Sequence, residues 1–304
     1  MTQKIISNNS VAETRKEFSL YDFVINLLTL SPLRNNTPTV SVLRFVGTIG
    51  KLGGVKCGGL SLEDLNPLIE KAFEFKKLAA VCIIINSPGG SPVQSELIAN
   101  RIINLSKEKK IPVYSFIEDV GASGGYWLAC AGNEIYASKS SIIGSIGVVS
   151  RGFGFKEAIE KIGIERRVYT SGTNKSILDP FTSAKKEDVD IIKKIQTYVH
   201  AHFIDAVKTR RGGKLTQKDN ILFNGEFWTG EIAYDYGLID GIDDFHSFLK
   251  HKFGDKINIE YVKTKESWLK KKLAFLSSIF VQNLSAEIRN SLQEIEISAK
   301  YDIK

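Results

Sequence analysis

Short apolar runs alternate with amphipathic segments along most of the chain, and this alternation predicts strands that are followed by helices. Residues 39–49 (TVSVLRFVGTI) are rich in β-branched side chains, and residues 78–86 (LAAVCIIIN) form a continuous apolar run, as in strands covered on both faces. Residues 164–170 (IERRVYT) also predict a strand, and residues 185–210 predict a long amphipathic helix. Strands that alternate with helices imply a mainly parallel sheet with right-handed crossovers, so the pattern predicts an α/β fold.

Two serines carry the signals that mark the start of a helix. Ser61 is followed three residues later by Asp64, which is the spacing of a capping box. Ser91 is followed by Pro92 in the first helical turn and by Gln94 in the capping-box position. We therefore expect one helix to begin after Ser61 and another to begin after Ser91.

The alternating pattern covers residues 38–260, which we interpret as one α/β domain flanked by terminal helical extensions. Residues 1–37 predict an N-terminal extension with a short amphipathic helix, and residues 261–304 predict a basic amphipathic helical tail. Each extension permits two interpretations: it packs on protein, or it lies in the interface of a membrane as a peripheral contact. We recognise no signal peptide and no transmembrane helix, so we expect a cytoplasmic or peripherally membrane-associated protein.

The composition is that of an ordinary globular protein, with 43% hydrophobic and 25% charged residues among 304. A net charge of +7 permits contact with anionic surfaces, but zinc-finger spacings and aromatic-basic RNA motifs are missing, so we expect no nucleic-acid partner. Cys57, Cys82 and Cys130 are too widely spaced to indicate a disulfide framework or a metal site. We expect these cysteines to be small buried apolar residues in a reducing compartment.

One serine, Ser123, lies among the small residues Gly121, Ala122, Gly124 and Gly125, directly before an apolar run. A hydroxyl at a turn from strand to helix is exposed, and small neighbours let the backbone turn sharply and let a substrate approach. The helix that follows would place free N–H groups where an oxyanion develops. This stretch alone leaves two interpretations open: a nucleophile, or a serine that only caps a helix.

A second glycine-rich turn follows the apolar run of residues 78–86. Its residues Gly89 and Gly90, in the sequence INSPGG, could aim backbone N–H groups at a substrate carbonyl. Parallel-sheet proteins bind their ligands at the carboxyl ends of strands. Two such turns at successive strand ends therefore favour a binding site more strongly than either turn alone.

A nucleophilic serine needs a base. The four histidines, His200, His202, His246 and His251, lie in predicted helices, with the first two among the core-facing residues of the long helix, so a Ser-His-Asp triad has little support. Lys175, in the loop SGTNKSILDPF, is the better candidate. A lysine acts as a base only when it is neutral, and burial favours the neutral form.

Five motifs occur in order between about residues 40 and 245: NSPGG, GASGGY, GSIGV, SGTNK followed by PF, and FWTGEIAYDYGLID. Together they resemble the bacterial signal peptide peptidase A (SppA) family of serine proteases, which includes the SohB-type proteases. The resemblance implies the ClpP/crotonase-like α/β superfold and a Ser/Lys dyad. In the last motif, we interpret Glu231 and Asp240 as solvated or capping carboxylates.

The resemblance also implies roles for individual residues. Ser123 matches the nucleophile and Lys175 matches the general base. The N–H groups of Gly90 and Gly124 match the oxyanion hole, and Ser145, in GSIGV, matches the hydroxyl that orients the lysine. No cofactor and no metal are expected.

The implied function is a serine endopeptidase that cleaves peptides through an acyl-enzyme. The expected substrates are cleaved signal peptides or other small, unfolded or membrane-derived peptides. Single-copy members of the family assemble as homo-oligomeric rings, and we expect such a ring here. The alternatives are a crotonase-fold enzyme that acts on acyl-CoA and a catalytically silent scaffold; the presence of both dyad residues argues against each of them.

Overall fold

The computed structural model describes residues 37–50 and 59–263. In these residues eight strands form one sheet, in the order β6-β5-β3-β2-β1-β8, with β4 paired to β3 and β7 paired to β4. All pairs are parallel except β5 with β6. The strands are β1 (Thr39–Val46), β2 (Leu78–Ser87), β3 (Val113–Ala122), β4 (Glu134–Ala137), β5 (Ile142–Gly144), β6 (Phe227–Thr229), β7 (Gly241–Ile242) and β8 (Asn258–Tyr261).

The α-helices of the described residues alternate with the strands from β1 to β4 and from β6 to β8, whereas three helices lie in succession between β5 and β6. The α-helices are α1 (Leu62–Ala72), α2 (Pro92–Lys109), α3 (Gly124–Ala129), α4 (Lys156–Lys161), α5 (Lys186–Arg211), α6 (Asp219–Leu222), α7 (Gly230–Asp235) and α8 (Phe245–Phe253). The predicted α/β fold with a mainly parallel sheet is therefore confirmed. The predicted strand at residues 164–170 is wrong, because these residues form no strand and are exposed.

The sheet is covered on both faces, as the continuous apolar run of β2 indicates. Ile83 and Ile85 point into the cluster that β2 shares with α1, α2 and α3, whereas Cys82 and Ile84 point into the cluster on the other face, under α8. This alternation is the two-residue period of a strand. The central strands are thus held in one register, and this register positions the turns at their carboxyl ends.

The two predicted helix starts are confirmed, with one difference. The Ser61 side chain accepts a hydrogen bond from the N–H of Asp64, and the Ser91 side chain accepts one from the N–H of Gln94. However, the Gln94 side chain does not close a capping box. Its Oε1 accepts from the N–H of Leu62 at 2.8 Å, which ties the start of α2 to the start of α1.

A buried ion pair joins the end of α5 to the loop before β7. The Arg211 side chain is 2% exposed and donates to Asp240, which also accepts from Lys214 at 2.6 Å and from the N–H of Ile135 at 2.8 Å. The interpretation of Asp240 as a solvated or capping carboxylate is therefore wrong, whereas Glu231 is exposed as expected. Burial by itself raises the pKa of Asp240, but the hydrogen bonds from Arg211 and Lys214 outweigh it, and the pKa lies below its usual range.

The predicted extension at residues 1–37 and tail at residues 261–304 lie outside the described residues, apart from Thr37 and residues 261–263. Within the described part of the chain, no helix has the length and apolar character needed to cross a membrane.

We predict that Asp240→Asn destabilises the fold by about 3 kcal/mol at neutral pH, because it leaves the Arg211 charge buried without a counter-charge. The free energy of unfolding, measured by urea denaturation, checks this value. Since the folded-state pKa of Asp240 is lowered, the ionised carboxylate stabilises the fold above about pH 4, and this stabilisation is lost as the pH falls further. The difference between the wild type and the variant should therefore shrink below pH 4. Glu231→Gln, at an exposed ion pair, should change little.

Candidate active site

The carboxyl ends of three neighbouring parallel strands meet at one edge of the sheet. Ser87 of β2 lies opposite Gly121 of β3, and Ala122 of β3 lies opposite Gly144 of β5. The residues that follow these pairs therefore converge. They include the candidate site residues other than Lys175, namely Gly90, Ser123, Gly124 and Ser145.

The backbone of Ser123 has an unusual conformation. Its φ is 52° and its ψ is −124°, a conformation that is rare for a residue with a side chain and that concentrates at functional sites. Its N–H donates to the carbonyl of Gly144 at 2.8 Å, which holds the turn on the neighbouring strand. Although Ser123 occupies the N-cap position of α3, its side chain makes no capping hydrogen bond. Of the two interpretations that the sequence left open, the structure therefore favours the nucleophile.

The small residues around Ser123 are explained by the close approach of two backbone turns. A Cβ atom at Gly89 would lie 2.8 Å from the Cβ of Ser123 and 2.7 Å from the N of Gly124. A Cβ atom at Gly124 would lie 2.3 Å from the Oγ of Ser95, a fully buried side chain beneath the turn. A side chain at Gly89 would therefore move the backbone beside the hydroxyl, and a side chain at Gly124 would displace the Ser95 hydroxyl.

The N–H of Gly90 points toward the same place. The carbonyl of Gly89 accepts from the N–H of Ile49 at 2.9 Å. Because the peptide between Gly89 and Gly90 is trans, its N–H points in the opposite direction, away from Ile49. A Cβ at Gly124 would lie 3.3 Å from this nitrogen. The N–H groups of Gly90 and Gly124 are thus neighbours, and neither has an acceptor within residues 37–50 and 59–263.

A buried serine, which sequence analysis missed, holds the glycine turn in place. The Oγ of Ser87 accepts from the N–H of Gly89 at 3.2 Å, and Ser87 is fully buried. This bond fixes the peptide that precedes the Gly90 N–H. The signal was present in the sequence, because Ser87 is the last residue of β2 and lies two residues before the glycine pair.

Ser145 lies next to Ser123, because each residue directly follows one member of the paired strands β5 and β3. It also has a left-handed backbone, with φ 51°, and it is half-buried. Its N–H donates to the carbonyl of Glu226 at 2.7 Å, and its carbonyl accepts from the N–H of Gly147 at 2.9 Å. Four of the five predicted site residues are therefore brought together: Ser123, Gly90, Gly124 and Ser145.

The structure does not bring Lys175 to this cluster within one chain. Lys175 is exposed, and no hydrogen bond or ion pair joins it to Ser123 or Ser145 in the described residues. It belongs to an arm, residues 148–202, in which no residue is buried. The arm exposes many large apolar side chains, namely Val149, Phe153, Phe155, Ile162, Ile164, Val168, Tyr169, Leu178, Ile195 and Tyr198.

Other reactive groups give no second candidate site. Cys82 and Cys130 are buried free thiols, and burial raises the pKa of the Cys130 thiol to about 11, so this cysteine is inert at neutral pH. Cys57 lies outside the described residues. In the part of the chain that the structure describes, no group of three or more His, Cys, Asp or Glu residues is placed to hold a metal ion.

Comparison with known proteins places this site in a family. The model of peptidase family S49 matches residues 105–256. The putative protease SohB of Buchnera aphidicola is 31% identical over 241 residues, which are 76% of this chain and 68% of that protein. The putative signal peptide peptidase SppA of Enterococcus faecium is 30% identical over 215 residues, which are 68% of this chain and 62% of that protein.

A higher identity occurs with a much longer protein. A Brucella abortus protein that carries the name Na(+)/H(+) antiporter NhaA is 50% identical over 234 residues. The match covers 77% of this chain but only 32% of that protein, so the chain spans about a third of this relative.

Two solved structures of the membrane-bound stomatin-specific protease 1510-N also match. They are 17% and 19% identical, cover 75% and 80% of this chain, and have TM-scores of 0.47 and 0.46; the second is a complex with a substrate peptide.

The ordered motifs, the parallel α/β architecture and the relatives agree, and the resemblance to the SppA and SohB proteases is confirmed. The chain belongs to peptidase family S49.

Proposed function

We propose that this protein is a serine endopeptidase that cleaves peptide bonds with a Ser/Lys dyad, Ser123 and Lys175. One observation carries the proposal: the Ser123 hydroxyl is not used as a helix cap, and two backbone N–H groups without acceptors in the described residues lie beside it. A hydroxyl next to paired N–H donors is the arrangement that acyl transfer requires.

The mechanism follows from these groups. Neutral Lys175 takes the proton from the Ser123 hydroxyl as its Oγ attacks the peptide carbonyl carbon. The N–H groups of Gly90 and Gly124 hold the oxyanion. Lys175 then gives the proton to the leaving amine, and a water molecule, activated by Lys175, hydrolyses the ester. Ser145 orients the lysine amine through its hydroxyl.

We propose that the active unit is a homo-oligomeric ring in which Ser123 of one subunit meets Lys175 of the next. Three observations support this arrangement: Lys175 is exposed, the arm that carries it has no buried residue, and its apolar side chains lack cover. Exposed apolar surface of this extent marks an interface between proteins. Packing of the arm on a neighbour would also bury Lys175, which favours the neutral base.

The proposed substrates are cleaved signal peptides or other small, unfolded or membrane-derived peptides. This class follows from the name of the Enterococcus relative, a putative signal peptide peptidase. The backbone turns at Gly89 and Gly90 suit an extended, unfolded segment, because a folded substrate could not bring its backbone this close.

We predict that Ser123→Ala and Lys175→Ala each lower kcat/KM for an unfolded peptide substrate by at least about 10⁴-fold. Each substitution removes one residue of the Ser/Lys dyad, and the remaining residue cannot act without it. The double variant should lose little more than either single one. A fluorophosphonate probe should label the wild type at Ser123 and neither variant. Lys161→Ala, at another exposed lysine of the arm, is the control and should keep its activity. Full activity of either dyad variant would contradict the proposal, and an unlabelled wild type would favour a silent scaffold.

Gly90→Ala tests the oxyanion hole. A Cβ at this position would lie 2.0 Å from the carbonyl oxygen of Ile49, and the φ of 149° strains any side-chain-bearing residue. We expect the turn to shift and kcat to fall by about 10²–10³-fold, with a smaller effect on KM. Gly213→Ala is the matched control, because a Cβ there meets nothing within 4 Å. An unchanged kcat for Gly90→Ala would exclude the Gly90 N–H as an oxyanion donor.

Mixing of the two inactive variants tests the shared dyad. When Ser123→Ala and Lys175→Ala subunits exchange into common rings, interfaces that receive Ser123 from one subunit and Lys175 from the other should regain activity. About a quarter of the wild-type activity is expected for random mixing, because each interface draws its two residues independently. Isotope-labelled subunits and native mass spectrometry verify the exchange. No recovery after verified exchange, or a fully active monomer in sedimentation, would place the dyad within one chain.

A further inference from the structure

One helix, α5, supports both halves of the site. Phe203 of α5 stacks on Trp127 of α3, with ring centroids 4.6 Å apart and planes 9° apart. Arg210 donates to the carbonyls of Cys130 and Gly132, at 2.8 and 2.9 Å, at the end of α3. Helix α3 begins directly after Ser123, so α5 braces the helix of the nucleophile.

The same helix holds the turn that follows β5. The Nε2 atom of His200 lies 3.0 Å from the carbonyl oxygen of Ile146, the residue after Ser145. Since a carbonyl can only accept, Nε2 carries the hydrogen, either in one neutral tautomer or in the charged imidazole. His200 is the only side chain that donates to this carbonyl in the described residues, and Ile146 is fully buried.

The bond from His200 acts on the turn that contains Ser145. Ser145 has φ 51°, so its backbone is strained and needs restraint from outside the turn. Its N–H is held by the carbonyl of Glu226 on one side. On the other side the carbonyl of Ser145 accepts from the N–H of Gly147, and His200 holds the carbonyl of Ile146, one residue further along. The direction of the Ser145 hydroxyl follows from the orientation of this backbone.

We propose that His200 is a positioning residue: it holds the carbonyl of Ile146, and thereby the turn that contains Ser145, so that the Ser145 hydroxyl faces the amine of Lys175. This proposal rests on the proposed Ser/Lys function and adds to it a residue that the sequence placed only among core-facing positions of the helix. His200 touches no reacting atom, and its effect passes through Ser145.

Three variants separate the hydrogen bond from the bulk of the side chain. In His200→Gln the amide nitrogen is as many bonds from Cα as Nε2 of histidine, so the donor is retained. In His200→Asn the donor is one bond short of the carbonyl. His202→Asn is the matched control, because His202 lies on the same helix, is exposed and makes no hydrogen bond in the described residues.

We expect His200→Asn to lower kcat by about tenfold or more with little change in KM. A misplaced Ser145 hydroxyl slows the chemical step but does not weaken substrate binding. His200→Gln should keep at least about half of the wild-type kcat, and His202→Asn should match the wild type. Sedimentation and thermal unfolding verify that each variant is folded and assembled. A folded His200→Asn with wild-type kcat, or a folded His200→Gln as slow as His200→Asn, would overturn the proposal.

A double-mutant cycle with Ser145→Ala distinguishes positioning from general stability. If His200 acts through Ser145, His200→Asn should change kcat by less than about twofold once the hydroxyl is gone. An equal loss in both backgrounds would show a merely structural role. If the wild type is active and its activity depends on Ser123, an adverse result with the His200 variants contradicts the role of His200 and leaves the proposed Ser/Lys function intact. Wild-type activity that does not depend on Ser123 overturns the proposed function, and this proposal with it.

Discussion

Two backbone turns approach each other so closely that a side chain on either would displace the other, and the rest of the site depends on this contact. Gly89 lies against Ser123, and Gly124 lies over Ser95 with its N near that of Gly90. The contact is possible because β2 and β3 are parallel neighbours whose carboxyl ends lie side by side. It places the N–H groups of Gly90 and Gly124, which have no acceptor in the described residues, beside the Ser123 hydroxyl.

The two turns are held in place by groups that lie outside them. Ser87 holds the peptide before Gly90, the carbonyl of Gly144 holds Ser123, and α5 packs on α3 through Phe203. The buried pair of Arg211 with Asp240 fixes the far end of α5. Groups that sit on rigid elements reorganise little during a reaction, which is the condition for oxyanion stabilisation by backbone dipoles.

The arm of residues 148–202 differs from the sheet in its burial. It has no buried residue, whereas most residues of the central strands β1, β2 and β3 are buried. The arm includes the first part of α5, and its loop is tied to that helix, since the N–H of Leu178 donates to Asp188 in the first turn. In the proposed ring, α5 therefore supports the nucleophile of its own subunit at one end and presents the base to a neighbour at the other.

The sequence by itself determined the parallel sheet, the helix starts at Ser61 and Ser91 and the small residues around Ser123, because each depends on neighbours along the chain. It also placed Gly90 and Gly124 in turns at strand ends, and the resemblance of the ordered motifs singled out Ser145. Only the tertiary structure decided the partner of Gln94, the burial of Asp240 and the bond of His200 to a carbonyl 54 residues away. These contacts join distant segments, and local pattern carries no information about them. The predicted strand at residues 164–170 failed for a related reason: its β-branched and aromatic residues suit a strand, but a strand forms only where a partner lies beside it.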